Sequence, residues 1–209
     1  MNITELKEDI IKFGKLLYSK NFSPATSGNI SVRYGENFLI SSSGSCLGFL
    51  EYDDIVMVNS NGNVIEGNKK ASSEKFLHIK AYEQRPDINS IFHVHSPKAT
   101  ALAIAGVELL APFCAELVYY FGEIKLAKYA TPSSLELVEK TIPFLKNSNA
   151  VLMQNHGLLV CAKSIKEAFF GVESIENYAQ NYIDAKILGC LTLLSKKSLQ
   201  EIQLLKSGQ

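Results

Sequence analysis

Between positions 29 and 66 the chain makes four short runs of β-type residues, at 30–33, 38–41, 55–58 and 64–65, broken by Gly35, Gly44, Gly48 and Asn61-Gly62. Asn-Gly between two such runs predicts a tight hairpin. Helical patterns surround this block. Ile3, Leu6, Ile10, Phe13 and Leu17 form one apolar stripe at three- and four-residue spacing, the mark of an amphipathic helix. A second helix is predicted to begin around Ser72-Ser73-Glu74 and to stop before Pro86, with further helices over 98–105, over 133–146 up to or through Pro143, and over 165–188. Strands are predicted at 89–95, 150–154 and 158–162. Strands and helices interleave without the regular βαβ rhythm of a parallel sheet. The expected fold is therefore α/β, a three-layer αβα arrangement with a central, mostly antiparallel β-sheet flanked by helices.

Composition sets the remaining bounds. With 209 residues, 46% of them hydrophobic, residues 1–209 are expected to form a single domain with a sizeable core. The 21 basic and 21 acidic residues cancel, leaving no uncompensated basic surface to displace phosphate counterions, so no nucleic-acid partner is expected. No apolar run reaches the length of a membrane span, and the first residues lack the order of a signal peptide. The four cysteines, Cys46, Cys114, Cys161 and Cys190, stand singly, as free thiols do in a reducing compartment. A cytoplasmic protein with no membrane partner is expected.

Three of the four histidines fall into a pattern that suits a metal. In Phe92-His93-Val94-His95 the alternation of a strand sends both imidazoles to one side while Phe92 and Val94 face the core. His156, between Asn155 and Gly157 in a turn joining two apolar strands, is placed to complete a facial tripod with open metal positions, which is how catalytic zinc sites are built. Each histidine alone reads as an ordinary hydrogen-bonded residue; the set points to a metal. Zinc is the default for three imidazoles, and iron, cobalt, nickel and manganese accept the same ligand type. His78 remains as a helix-surface or packing residue.

Glu74 is the candidate carboxylate, in the first turn of a helix whose free amides favour an anion. Ser-Ser-Glu is also a common helix cap. Two hydroxyl-rich turns, Thr26-Ser27-Gly28-Asn29 and Ser41-Ser42-Ser43-Gly44, offer the amide and hydroxyl donors of a neutral phosphate nest. Neither matches the P-loop or the dinucleotide fingerprint.

The segments Thr26-Ser27-Gly28-Asn29-Ile30-Ser31-Val32-Arg33, Ser72-Ser73-Glu74, His93-Val94-His95 and Gln154-Asn155-His156-Gly157-Leu158 together resemble the class II aldolase/adducin superfamily, and within it the fuculose-1-phosphate type of aldolase. The resemblance runs from about the first helix to the helix after His156. It implies a zinc ion, one per subunit, or another divalent transition metal, held by His93, His95 and His156. Glu74 would be both a resting-state ligand and the catalytic base. Gly28, Asn29, Ser43, Gly44, Ser72 and Ser73 would cradle the substrate phosphate. The implied reaction is reversible cleavage of a sugar 1-phosphate to dihydroxyacetone phosphate and an aldehyde through a metal-stabilised enediolate, in a homotetramer with sites at subunit interfaces.

The sequence departs from that type at the aldehyde end. Where it carries a tyrosine after the helix that follows H-x-H, an ungapped count lands on Cys114; Tyr119, Tyr120, Tyr129 and Glu116 are alternative proton donors. The tail also lacks a tyrosine, the last being Tyr182. Two other reactions of the superfamily, ribulose-phosphate 4-epimerisation and methylthioribulose-1-phosphate dehydration, use the same kind of metal and phosphate site. A non-catalytic adducin-like interaction module is the remaining alternative.

Overall fold

The computed structural model describes residues 2–207. In chain order it contains α1 (Ile3–Ser19), β1 (Asn29–Tyr34), β2 (Asn37–Ser41), β3 (Ile55–Val58), β4 (Val64–Glu66), α2 (Lys75–Gln84), β5 (Ser90–Val94), α3 (Pro97–Ala105), α4 (Ala115–Tyr120), β6 (Lys125–Ala127), α5 (Leu135–Thr141), β7 (Ala150–Met153), β8 (Gly157–Ala162), α6 (Ile165–Ile187) and α7 (Lys196–Ser207). All eight strands join one sheet in the order β4-β3-β2-β1-β5-β8-β7-β6.

Six of the seven strand pairings are antiparallel; β6 runs parallel to β7. The sheet is thus mixed at one edge. The cause is a single crossover, because the connection from β6 to β7 carries α5 and is long enough to return the chain in the same direction. Helix 133–146 of the sequence reading divides near its proline: α5 ends at Thr141, and Ile142–Lys146 continues as a 3-10 helix with Pro143 in its first turn.

Helices cover both faces. On one, α1, α3 and α6 bury Leu6, Ile10, Phe13, Leu102, Phe169 and Val172 against Ile30, Val32, Phe92, Val94, Leu158 and Val160 of the sheet. On the other, α2 and α5 bury Leu77, Ile79 and Leu137 against Ile40, Val56, Ile91, Val151 and Leu159. Each large side chain so buried contributes roughly 1.5–3 kcal/mol. Helix α1 starts in a capping box, in which Asn2 Oδ1 accepts from the Glu5 amide and the Glu5 carboxylate accepts from the Asn2 amide, both at 2.9 Å.

The strands alternate between these two cores. Ile30 and Val32 face α1, which turns Asn29 and Ser31 toward α2. Phe92 and Val94 likewise face the first core and leave His93 on the α2 side. Registry places Asn29 opposite His93, and His93 opposite Leu159. A polar strip therefore crosses the middle of the sheet beneath α2.

Candidate metal centre and active site

Three rings converge at the C-terminal end of β5. The centroids of His93, His95 and His156 lie 4.7–5.1 Å apart pairwise, and one ligand nitrogen from each falls within 4.8 Å of the others. His93 Nδ1 donates to the Leu158 carbonyl at 3.1 Å, which leaves Nε2 bare and aimed at the centre. His95 Nε2 is 3.1 Å from it.

The Asn-His-Gly turn explains how His156 arrives. Met153 pairs with Gly157 across a three-residue loop, closed by the His156 amide donating to the Met153 carbonyl at 3.0 Å. Asn155 takes a left-handed conformation, φ 56°, which asparagine tolerates better than most residues. Glycine follows because there is no room for anything larger. A Cβ at Gly157 would sit 2.5 Å from the Val94 carbonyl oxygen and 2.8 Å from the His95 ring.

Glu74 faces this cluster. It is the N-cap residue of α2, one position before the first helical turn, and it is buried. Its Oε2 lies 3.1 Å from His93 Nε2 and its Oε1 3.4 Å from His156 Nε2. Oε1 has no hydrogen-bond partner. Burial pushes the Glu74 carboxyl upward, but His93, His156 and the Asn29 amide outweigh it and hold it at about 2. Burial also lowers His93 to about 3 and lowers His95 and His156. The rings lower the carboxylate only in their charged form, which burial disfavours. The positive charge that suits an ionised Glu74 here is a cation among the rings. An orphaned carboxylate oxygen and three imidazoles whose ligand nitrogens converge are a fitting donor set for one.

The segments read as a phosphate nest lie next to this cluster. Gly28 has φ 77°, and a Cβ there would meet the His93 carbonyl oxygen at 2.7 Å, so only glycine lets the 26–29 turn approach β5 so closely. The Ile30 amide donates to Ser41 Oγ at 3.2 Å, the Ser43 amide to the Lys70 carbonyl at 2.8 Å, and the Ser72 amide to the Ser41 carbonyl at 3.1 Å. These bonds tie the 28–29, 41–44 and 71–74 segments into one corner. Ser43, Gly44 and Ser73 are exposed there. Asn29 and Ser72 are buried and already engaged with Glu74: Asn29 Nδ2 donates to Oε2 at 3.1 Å, and Ser72 Oγ accepts from the Glu74 amide at 3.2 Å.

Of the two readings of His78, the structure gives the packing one: it is 1% exposed, bonded through one ring nitrogen to Asn29 and through the other to Ser31. A signal for it existed. Glu74, His78 and Tyr82 recur every four residues, on one helix face, and Asn29 and Ser31 alternate onto one strand face.

At the aldehyde end the candidates separate. Cys114 stands at the N-cap position of α4, where its side chain makes no capping bond, and its thiol donates to Glu116 at 3.0 Å. Tyr119 and Tyr120 pack edge to face on each other. Tyr120 lines a cavity of about 890 Å³ with Arg85 and Asn149, and Asn149 and His156 flank opposite ends of β7. Tyr129 is the tyrosine tied to the histidine turn, its amide donating to Gln154 Oε1 at 3.2 Å.

Comparison with known proteins identifies the family. A profile of the class II aldolase and adducin N-terminal domain matches residues 8–183. The chain belongs to the class II aldolase and adducin family. This class II aldolase is 36% identical over 205 residues to the 5-deoxy-D-ribulose 1-phosphate aldolase of Bacillus thuringiensis serovar kurstaki, covering 97% of this chain and 95% of that protein. It is 35% identical over 193 residues to an L-fuculose phosphate aldolase of Methanocaldococcus jannaschii, covering 91% and 99%. A solved L-fuculose 1-phosphate aldolase superposes with a TM-score of 0.90 at 32% identity, covering 97% and 96% of the two chains. The aldolase is a lyase with a small-molecule substrate, and enzymes of its class are metal-dependent. No helix among the described residues is long and apolar enough to cross a membrane.

Proposed function

We propose that this aldolase cleaves a ketose 1-phosphate reversibly to dihydroxyacetone phosphate and an aldehyde, with zinc as its metal. The observation that carries the reading is the convergence of His93, His95 and His156 on one centre with the buried Glu74 carboxylate beside it. The three imidazoles and Glu74 hold the metal. When bound, it supplies Lewis-acid stabilisation for the negative charge that develops on the substrate as the carbon–carbon bond breaks. Glu74 carries the proton, taking it from the carbon beside the carbonyl in condensation and returning it in cleavage.

Gly28, Asn29, Ser43, Gly44, Ser72 and Ser73 form the phosphate cradle in this reading. The side chains of Asn29 and Ser72 already serve Glu74, so the exposed Ser43, Gly44 and Ser73 take the larger share of the anion. Fixing the phosphate fixes the reacting carbon within reach of the carboxylate. Exposed apolar side chains at Phe49, Ile187, Leu188 and Leu205 support a homotetramer, in which neighbouring copies cover them. Four unpaired cysteines support a cytoplasmic setting.

The deciding experiment incubates zinc-loaded protein with 5-deoxyribulose 1-phosphate, fuculose 1-phosphate and the ribulose phosphates, following triose phosphate release. Release from at least one ketose 1-phosphate is expected. Isomeric pentose phosphate without triose would replace the aldolase reaction by epimerisation, and a dehydrated sugar would replace it by elimination.

The glycine after His156 gives a second test. Gly157→Ala places a methyl group against the Val94 carbonyl and the His95 ring. It should weaken zinc binding by about ten- to hundred-fold, as disturbing a ligand's support does in other metal sites. Competition with a chelator measures this; unchanged affinity would mean the turn adjusts without moving the rings.

A further inference from the structure

A buried hydrogen-bond relay leads away from Glu74 through Asn29 to residues that the reaction itself does not use. Each donor follows from the carboxylate. An ionised carboxylate only accepts, so Asn29 presents Nδ2 to Glu74 Oε2 at 3.1 Å, and its amide oxygen points the other way. That oxygen accepts from His78 Nε2. His78 is buried and neutral, so a proton on Nε2 leaves Nδ1 as an acceptor. The Ser31 hydroxyl donates to it at 2.6 Å. Ser31 Oγ in turn accepts from the Tyr82 hydroxyl at 2.9 Å.

The far end of the relay is clamped. The Tyr82 ring stacks on Phe38 with centroids 4.7 Å apart and planes 6° from parallel. The Arg33 guanidinium lies 4.8 Å over the Tyr82 ring and donates to the Tyr82 carbonyl at 3.0 Å. Ser31, His78 and Tyr82 are each 0–1% exposed, so water cannot substitute for a lost partner.

We propose that His78 is a positioning residue: its Nε2–H fixes the Asn29 amide in the one orientation that offers Nδ2 to Glu74, and thereby fixes the carboxylate facing the three imidazoles. The opposite tautomer would set a bare Nε2 against the Asn29 oxygen. The amide would then turn over and set that oxygen against the Glu74 carboxylate. One misplaced proton on His78 thus unseats a group two hydrogen bonds away. The inference rests on Glu74 and the histidines forming the metal site.

The test uses zinc affinity, read by chelator competition on the full-length chain without substrate. His78→Leu removes the donor and should weaken zinc binding by about ten- to hundred-fold. His78→Gln keeps an N–H where Nε2 stood and should bring the affinity back to within about threefold of wild type. A role confined to packing predicts equal zinc affinities for the two variants with only the melting temperature changed, and that result overturns the proposal. Should His78→Leu fail to fold, Ser31→Ala takes its place, and an unchanged zinc affinity there overturns the proposal too. Long-range ¹H–¹⁵N correlation on the wild-type protein gives an independent reading, with the proton expected on Nε2 of His78; a proton on Nδ1 refutes the relay. Neither readout needs turnover. A chain that cleaves no sugar phosphate leaves this test standing, and an active aldolase with variant-insensitive zinc binding removes His78 alone.

Discussion

His93→Ala should strip the protein of its metal and lower kcat/KM for ketose 1-phosphate cleavage by about a thousandfold or more. Of the three rings His93 is the most deeply placed, 1% exposed on a central strand, and its Nε2 is within 3.1 Å of both His95 Nε2 and Glu74 Oε2. Its loss breaks the imidazole tripod and leaves His95, His156 and Glu74 without the ring between them. Lewis-acid stabilisation is worth several kcal/mol, and each 1.36 kcal/mol is tenfold in rate, which sets the size of the effect.

Metal analysis of protein purified without added metal checks the first half of this expectation, and steady-state kinetics with saturating zinc checks the second. Circular dichroism guards against a folding artefact, because the substitution also leaves the buried Leu158 carbonyl without the His93 N–H, at a cost of about 1–3 kcal/mol. A folded variant with full metal content would mean that the cation lies elsewhere. A folded variant with no metal and full activity would remove the cation from the reaction.

How far the sequence anticipates this site depends on the range of each contact. His93 and His95 are legible because strand alternation is a local rule, and His156 because Asn-His-Gly between two apolar runs spells a tight turn. Their convergence is another matter. It follows from β8 pairing with β5, a contact that no spacing along the chain encodes. Glu74 was legible as an acid at a helix start, but its approach to His93 and His156 depends on where α2 crosses the sheet. The short pieces were illegible for a different reason. Helix α4 and strand β6 have six and three residues, too few to show a period, and the parallel pairing of β6 rests on the α5 crossover rather than on its own residues. Asn29 shows the limit most plainly. The motif marks it as a phosphate ligand, and nothing along the chain says that the fold also gives both ends of its side-chain amide to buried partners, Glu74 and His78.

That arrangement also decides what should happen when the carboxylate is neutralised. Glu74→Gln keeps the shape of the side chain, and its amide oxygen can still accept from Asn29 Nδ2, so the relay through His78 and Ser31 has no reason to reorganise. Three imidazoles remain to hold zinc. What disappears is the group that carries the proton, and general acid–base catalysis typically supplies 10²–10⁴-fold. The expectation is a kcat lowered by about a thousandfold with zinc still bound at millimolar supply and KM changed little, in contrast to the metal loss expected of His93→Ala. Glu74→Asp separates charge from position. It restores the carboxylate but withdraws it by one methylene, a displacement of about an ångström that can itself cost a hundredfold, so it should fall between wild type and Glu74→Gln. Proton exchange at the reacting carbon of dihydroxyacetone phosphate, followed by NMR in deuterium oxide without any aldehyde present, isolates the step. If Glu74→Gln exchanges that proton within tenfold of the wild-type rate, another group carries it and Glu74 is a metal ligand only.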